Sequence, residues 1–381
     1  MHVAFNAYFW NRPATGTGQY LRQLVTHLDR FVSDLQITLI YPHDDEPQQV
    51  PPTVHVHRAP ARTGHMGKVL FEQLTFPRAS RAIGADLAHV PHWGSPLHTP
   101  LPVVVTIHDL ITVQRREYRR RPAARLYNAL VAAAAREAAH VIAVSHFSRQ
   151  EIVRHLGIPA ERVTAIHSAP APQFSPQSDL LLDMAVQRKY DLPDFFVLYL
   201  GGYMIHKNVP TLLAAYTYVA QALGEEYPLL LAGRRPENPS PAVPDYDALI
   251  SRAGLEKYVR WLGYVDEEDK PALYRAALCF AFPSRYEGFG FPPLEAMASG
   301  VPVVTTDAAS LPEVVGDGAF TVDPDDERAM AGAIISLLIQ ENFAEEMKQK
   351  GLAQAARFSW EETATQTLLV YDRLVGGGRG A

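Results

Sequence analysis

Short apolar runs rich in β-branched residues recur along the first half of the chain. They fall at Val3–Asn6, Leu35–Tyr41, Val54–His57, Leu87–Val90, Val103–Ile107, Val141–Val144 and Val163–His167. Most are separated by stretches with helical spacing, of which the amphipathic Gln19–Asp29 follows a long loop, Ala7–Gly18. Apolar strands alternating with helices predict a parallel sheet covered on both faces. Ser148-Arg149-Gln150-Glu151 reads as a capping box opening a helix that stops near Gly157. The second half repeats the logic. Its strands are predicted at Phe195–Leu200, Pro228–Ala232, Val259–Leu262, Leu278–Phe282, Val301–Thr305 and Ala319–Val322. Helices alternate with them and end the chain at Asp326–Ile339, Asn342–Arg357 and Trp360–Leu374.

Between the halves, Ser168 to Ser178 is proline-rich and without periodicity, as expected of a domain boundary. The expected fold is α/β, two Rossmann-like doubly wound domains. Residues 1–170 form the first and 171–358 the second, followed by a C-terminal helix over 359–375 and a disordered tail over 376–381. A length of 381 residues supports two cores rather than one. A net charge of −6 gives no reason to expect nucleic acid. No apolar run approaches the ~20 residues of a membrane-spanning helix. The N-terminus reads as a strand without a secretory signal, and the single cysteine, Cys279, excludes an internal disulfide. These features point to the cytoplasm.

Ligands of doubly wound sheets bind beyond the carboxyl ends of the strands, so the loops after the predicted strands are where chemistry is sought. After Phe282 comes Pro283-Ser284-Arg285-Tyr286-Glu287-Gly288-Phe289-Gly290-Phe291-Pro292-Pro293-Leu294-Glu295-Ala296-Met297-Ala298-Ser299-Gly300. This reads as a glycine-bearing loop opening a short helix, with Pro292 and Pro293 in the first turn and Gly300 past its end. Backbone N–H groups and a positive dipole end there favour an anion such as phosphate. Two carboxylates bracket the motif: Glu287 on the loop and Glu295, expected in the first helical turn. After Leu200, a glycine turn leads to Lys207 at a helix start, placing a point charge beside helix N–H groups. After Ile107 come His108 and Asp109, the first with a near-neutral pKa suited to acid–base or hydrogen-bonding work.

The Glu-x7-Glu block resembles the signature of the retaining, nucleotide-sugar-dependent glycosyltransferases of family 4, which have the GT-B fold. The Lys207-Asn208 turn and the His108-Asp109-Leu110 motif match the same family in order, so the resemblance covers nearly the whole chain. It implies transfer of a hexose from a nucleoside-diphosphate sugar, GDP-mannose or a UDP-hexose, to a hydroxyl of a glycan or lipid-linked acceptor. It also implies two domains facing each other across a cleft, and a final helix that crosses back onto the N-terminal domain. Catalytic roles fall to His108 near the donor sugar, Lys207 on the diphosphate and Glu287 on the hexose hydroxyls. Donor-binding roles fall to Glu295 on the ribose and to Gly16, Gly18, Gly288, Phe289 and Gly290 near the phosphates. Gly202 stands where the family commonly has arginine, and Arg234 or Arg235 is the candidate substitute.

Other features have plainer readings. His89 and His92 lack a third ligand and read as loop or acceptor-site residues. Asp245-Tyr246-Asp247 and Asp323-Pro324-Asp325 read as helix caps, so no metal or other cofactor is expected. The run Gln114–Arg121 is a solvated loop by default, and Arg115–Arg121 is a candidate contact with a membrane surface or an anionic lipid-linked acceptor. A GT-B epimerase or phosphorylase, and a non-catalytic nucleotide-sugar-binding protein, stand as alternatives.

Overall fold

The computed structural model describes residues 1–32, 34–62, 64–118 and 122–376. Within it the chain divides into two compact units, Ala169–Phe358 and the remainder on either side of it. Each unit is built on one sheet, and every ladder in both sheets is parallel.

Unit 1 contains β1 (His2–Asn6), β2 (Gln36–Tyr41), β3 (His55–Arg58), β4 (Leu87–Val90), β5 (Val103–Ile107), β6 (His140–Ala143) and β7 (Val163–Ala165). Their spatial order is β3-β2-β1-β4-β5-β6-β7. The chain works outward from β1 in one direction and from β4 in the other, so the topological switch lies between β1 and β4. Both β4 and β5 are buried along their whole length, as expected of central strands covered on two faces. Unit 2 contains β8 (Val197–Leu200), β9 (Leu229–Ala232), β10 (Val259–Gly263), β11 (Cys279–Phe282), β12 (Val303–Thr306) and β13 (Phe320–Val322). The order β10-β9-β8-β11-β12-β13 puts the switch between β8 and β11.

Among the described residues, all thirteen strands fall within the apolar runs predicted for them or overlap them, and helix ends account for most of the differences. The first helix runs Gly16–Phe31 rather than starting near Gln19, because Thr15 caps it by accepting from the Gly18 N–H at 3.1 Å. Gly16 and Gly18 are thus in the first helical turn, not in a loop before it. A Cβ on Gly18 would lie 2.1 Å from the Arg12 carbonyl oxygen, so close packing of the preceding loop requires glycine there. The helix expected to open at Ser148 runs His146–Leu156 and is capped by Ser145, while Gly157 ends it at φ 65°. The last helix, Trp360–Gly376, includes the glycine with which the tail was expected to begin. Residues 377–381 lie outside the described residues. This helix belongs to unit 1, where it packs on Gly16–Phe31 and Thr363 donates to the His167 carbonyl at 2.7 Å.

Candidate active site

In unit 2 the two loops that leave the switch point carry opposite charges. From β8 the chain turns through Gly201 and Gly202 into one 3₁₀ turn, Ile205–Lys207. Asn208 then adopts a left-handed conformation, φ 57°, and its amide donates to the Pro324 carbonyl at 2.8 Å. From β11 the chain enters Pro283–Gly290. The Arg285 N–H donates to the His206 carbonyl at 2.8 Å, joining the two loops through the backbone. Lys207 Nζ donates to Glu287 Oε1 at 2.7 Å and lies 5.4 Å from the centre of the Phe282 ring. Their side chains are only 19% and 13% exposed, so water screens this pair less than an ordinary surface ion pair.

Hydroxyls at the end of β12 and in the loop after it hold the glutamate loop. Ser310 shares its one hydroxyl proton between the carbonyls of Phe289 and Glu287, at 2.6 and 3.0 Å. Thr306 donates to the Ser284 carbonyl and Thr305 to that of Phe282, at 2.5 and 2.8 Å. Sequence reasoning passed over all three; the cue was a run of hydroxyl residues at the end of an apolar strand. Gly290, at φ 121°, precedes the helix Phe291–Ala298, whose first turn contains both prolines. Glu295 is not in that first turn but in the second, because the helix starts at Phe291. It is buried, and Tyr274 donates to its Oε2 at 3.2 Å.

Gly288 and Phe289 lie on the held loop between Glu287 and Gly290, with Phe289 buried. Gly202 has open space where a Cβ would project, so its backbone admits a side chain. Of the substitutes for a family arginine, Arg235 pairs with Asp247 at 2.6 Å and sits over the Trp261 ring, whereas Arg234 is exposed. Asp245 caps the helix Tyr246–Arg252 by accepting from Ala248 N–H. Before the helix Glu327–Ile339 the cap is Asp326, not the Asp323–Asp325 pair, and Asp325 instead pairs with Arg285 at 2.5 Å.

In unit 1, His108 follows β5 half-buried, with Nε2 3.0 Å from the Pro91 carbonyl and its ring edge-on to Tyr20. Burial pushes its pKa down to about 4, so the ring is neutral near pH 7. A neutral ring whose Nε2–H donates to Pro91 leaves Nδ1 as an acceptor. His89 is fully buried within β4, where Thr106 Oγ1 lies 2.8 Å from Nε2 and the Tyr371 hydroxyl 2.5 Å from Nδ1. Both ring nitrogens are therefore used internally.

Two Rossmann-like units in one chain are the architecture of a GT-B glycosyltransferase. The model of Glycosyltransferase Family 4 matches residues 14–169, and that of Glycosyl transferases group 1 matches 185–354. The O-antigen chain mannosyltransferase B of Escherichia coli is 33% identical over 95% of this chain and 97% of its own. The chain belongs to glycosyltransferase family 4. Among solved structures, the sucrose-phosphate synthase of Thermosynechococcus elongatus superposes with a TM-score of 0.79 at 23% identity, covering 99% of this chain and all of its own. The Anabaena protein Alr3699/HepE, solved with UDP-glucose, gives 0.75 at 19% identity, covering 98% of this chain and all of its own.

Proposed function

We propose that the chain transfers mannose from a nucleoside-diphosphate mannose to a hydroxyl of a growing glycan, with retention of anomeric configuration. The Lys207–Glu287 pair at the β8/β11 switch carries this reading. The leaving diphosphate gains negative charge as the glycosidic bond breaks, and a preorganised cation at that oxygen lowers the barrier. Lys207 serves there, with the Gly288–Gly290 backbone and the helix N-terminus at Phe291. Glu287 holds the hexose hydroxyls; a carboxylate already paired with a lysine and anchored through its own carbonyl suits positioning better than covalent attack. Glu295 serves the ribose. Gly202 and Arg234 complete the proposed donor surroundings. No metal takes part in this proposal.

Mannose is favoured over other hexoses by the 33% identity, across nearly the full length, to a mannosyltransferase. Contact with a membrane surface through Arg115–Arg121 belongs to the same proposal, although Arg119–Arg121 lie outside the described residues. Among the described residues no helix is long and apolar enough to cross a membrane. The test incubates the chain with GDP-mannose or UDP-hexoses and an α-mannoside in EDTA, following released nucleotide and the anomeric proton of the product. An α-linked product from GDP-mannose is expected. An inverted product, a trapped glycosyl adduct on Glu287, or activity that vanishes with EDTA contradicts the mechanism.

A further inference from the structure

At the switch point of unit 1, the loops after β1 and β4 deliver Tyr8, Phe9, His92 and Trp93. The Phe9 and His92 rings meet edge to face, 4.9 Å between centres. Against them lies a feature with no sequence signature. The helix Gly64–Leu70 passes into one π-helical turn, Phe71–Thr75, before resuming as Phe76–Ala82. π-Turns are rare and concentrate at functional sites. This one carries Glu72, whose side chain is wholly buried.

Both Glu72 oxygens are engaged. His92 Nε2 is 3.0 Å and Lys68 Nζ 3.4 Å from Oε1, and the Tyr127 hydroxyl donates to Oε2 at 3.1 Å. Burial alone would raise the Glu72 carboxyl, but His92, Lys68 and Tyr127 together hold it below its ordinary value. Lys68 Nζ also lies over three rings, 5.4 Å from the centre of Tyr8, 5.1 Å from Phe9 and 5.5 Å from Tyr127. Gly94 leaves room for the carboxylate, since a Cβ there would come within 2.2 Å of Glu72 Oε1. The arrangement leaves His92 Nδ1, Trp93 Nε1 and Ser95 Oγ buried without a hydrogen-bond partner. His92 is 5% exposed, and because its Nε2–H is directed at Glu72, its Nδ1 is an acceptor.

A buried ion pair is a poor device for stability, and this one sits where a doubly wound sheet receives its ligand. With the donor assigned to unit 2, the unit 1 crevice is left for the acceptor, an assignment that rests on the transferase reading. We propose that Glu72 sets the charge selectivity of acceptor binding: by neutralising Lys68, it makes this site take an uncharged hydroxylated ring and reject an anionic one. The unpartnered polar atoms of His92, Trp93 and Ser95, beside the Tyr8 and Phe9 rings, suit the hydroxyls of a neutral pyranose. The exposed Arg12 guanidinium also lies 5.5 and 5.6 Å from the Tyr8 and Phe9 ring centres, so without Glu72 the rings would frame two cations, one of them the newly uncompensated Lys68.

The test compares methyl α-mannopyranoside with its 6-phosphate, both as acceptors and as ligands titrated by NMR, in the full chain. In wild type the neutral sugar is expected to be preferred. Glu72→Gln should move the ratio of kcat/KM values toward the phosphate by at least about tenfold, leaving the donor KM unchanged. Lys68→Met, which keeps the carboxylate, should move it the other way. Combining the two should return it to within about threefold of wild type, because the charges act on each other. A ratio unmoved by both single substitutions, or a wild-type preference for the phosphate, overturns the proposal. If wild type transfers to neither acceptor, the transferase reading fails, and the titrations still decide the role of Glu72.

Discussion

The switch points of the two sheets solve the same problem with opposite use of charge. In unit 2 the cation and the carboxylate come from the two loops that leave neighbouring strands β8 and β11, and Lys207 meets Glu287 at 2.7 Å. Each belongs to a different loop, so a ligand entering between them can engage both. In unit 1 the carboxylate comes from a π-turn packed beneath the loops, is wholly buried and is already saturated by three partners. The first arrangement suits a charged ligand, whose diphosphate can take over the lysine. The second cancels its lysine beforehand and suits a neutral one. Two Rossmann-like sheets thus share a strand order while their carboxylates come from different elements, and the proposed difference in ligand rests on that.

The largest effect that would break this contrast is on turnover. Lys207→Ala should lower kcat by ~10²–10³, the cost of deleting one preorganised donor to developing charge. Steady-state kinetics at saturating acceptor check it, and turnover near wild type would remove Lys207 from the site.

Acid should separate the two units. Burial lowers His89 to about 3 and His108 and His140 to about 4, from 6.5, and all three are in unit 1. Between the folded and unfolded values the unfolded chain binds more protons, so stability is lost as pH falls from about 6.5 toward 4. The slope approaches about 1.4 kcal/mol per pH unit for each histidine. Hydrogen exchange at pH 7 and pH 5 should show unit 1 amides losing protection first; equal loss in unit 2 would contradict this.

Ser310→Ala should have a smaller effect, because it frees the carbonyls of Glu287 and Phe289 without touching a charge. Losing this shared hydrogen bond should cost about 1–3 kcal/mol of stability and raise the donor KM. Thermal melting and donor titration check both; an unchanged donor KM would mean the loop is held without it. The mildest expected effect is that of Gly202→Arg. Open space at its Cβ should admit the side chain within about 0.5 kcal/mol, and a guanidinium there should tighten nucleoside-diphosphate binding.

Much of the fold was legible because parallel strands buried on both faces read as apolar β-branched runs with polar breaks, and β4 and β5 begin and end where those runs do. Helix starts were less so. Ser145 and Ser148 are both acceptable caps, and only packing decides, since Ser148 lies inside the helix and donates to the His108 carbonyl. The pairing of Lys207 with Glu287 was half legible: each residue announces itself after a strand, but their contact spans 80 positions and depends on β8 lying beside β11. Glu72 was invisible. A π-turn has no periodicity of its own to single Glu72 out in Phe71-Glu72-Gln73-Leu74-Thr75.

The most direct test measures donor affinity and acceptor KM side by side in Lys207→Ala and Glu72→Gln. Donor affinity would come from thermal shift with GDP, UDP and their sugars, since native-state binding raises apparent stability by mass action. The account predicts a crossed pattern: the lysine variant loses nucleotide binding and keeps its acceptor KM, and the glutamate variant does the reverse. Either variant moving both quantities together would contradict a division of labour between the two switch points.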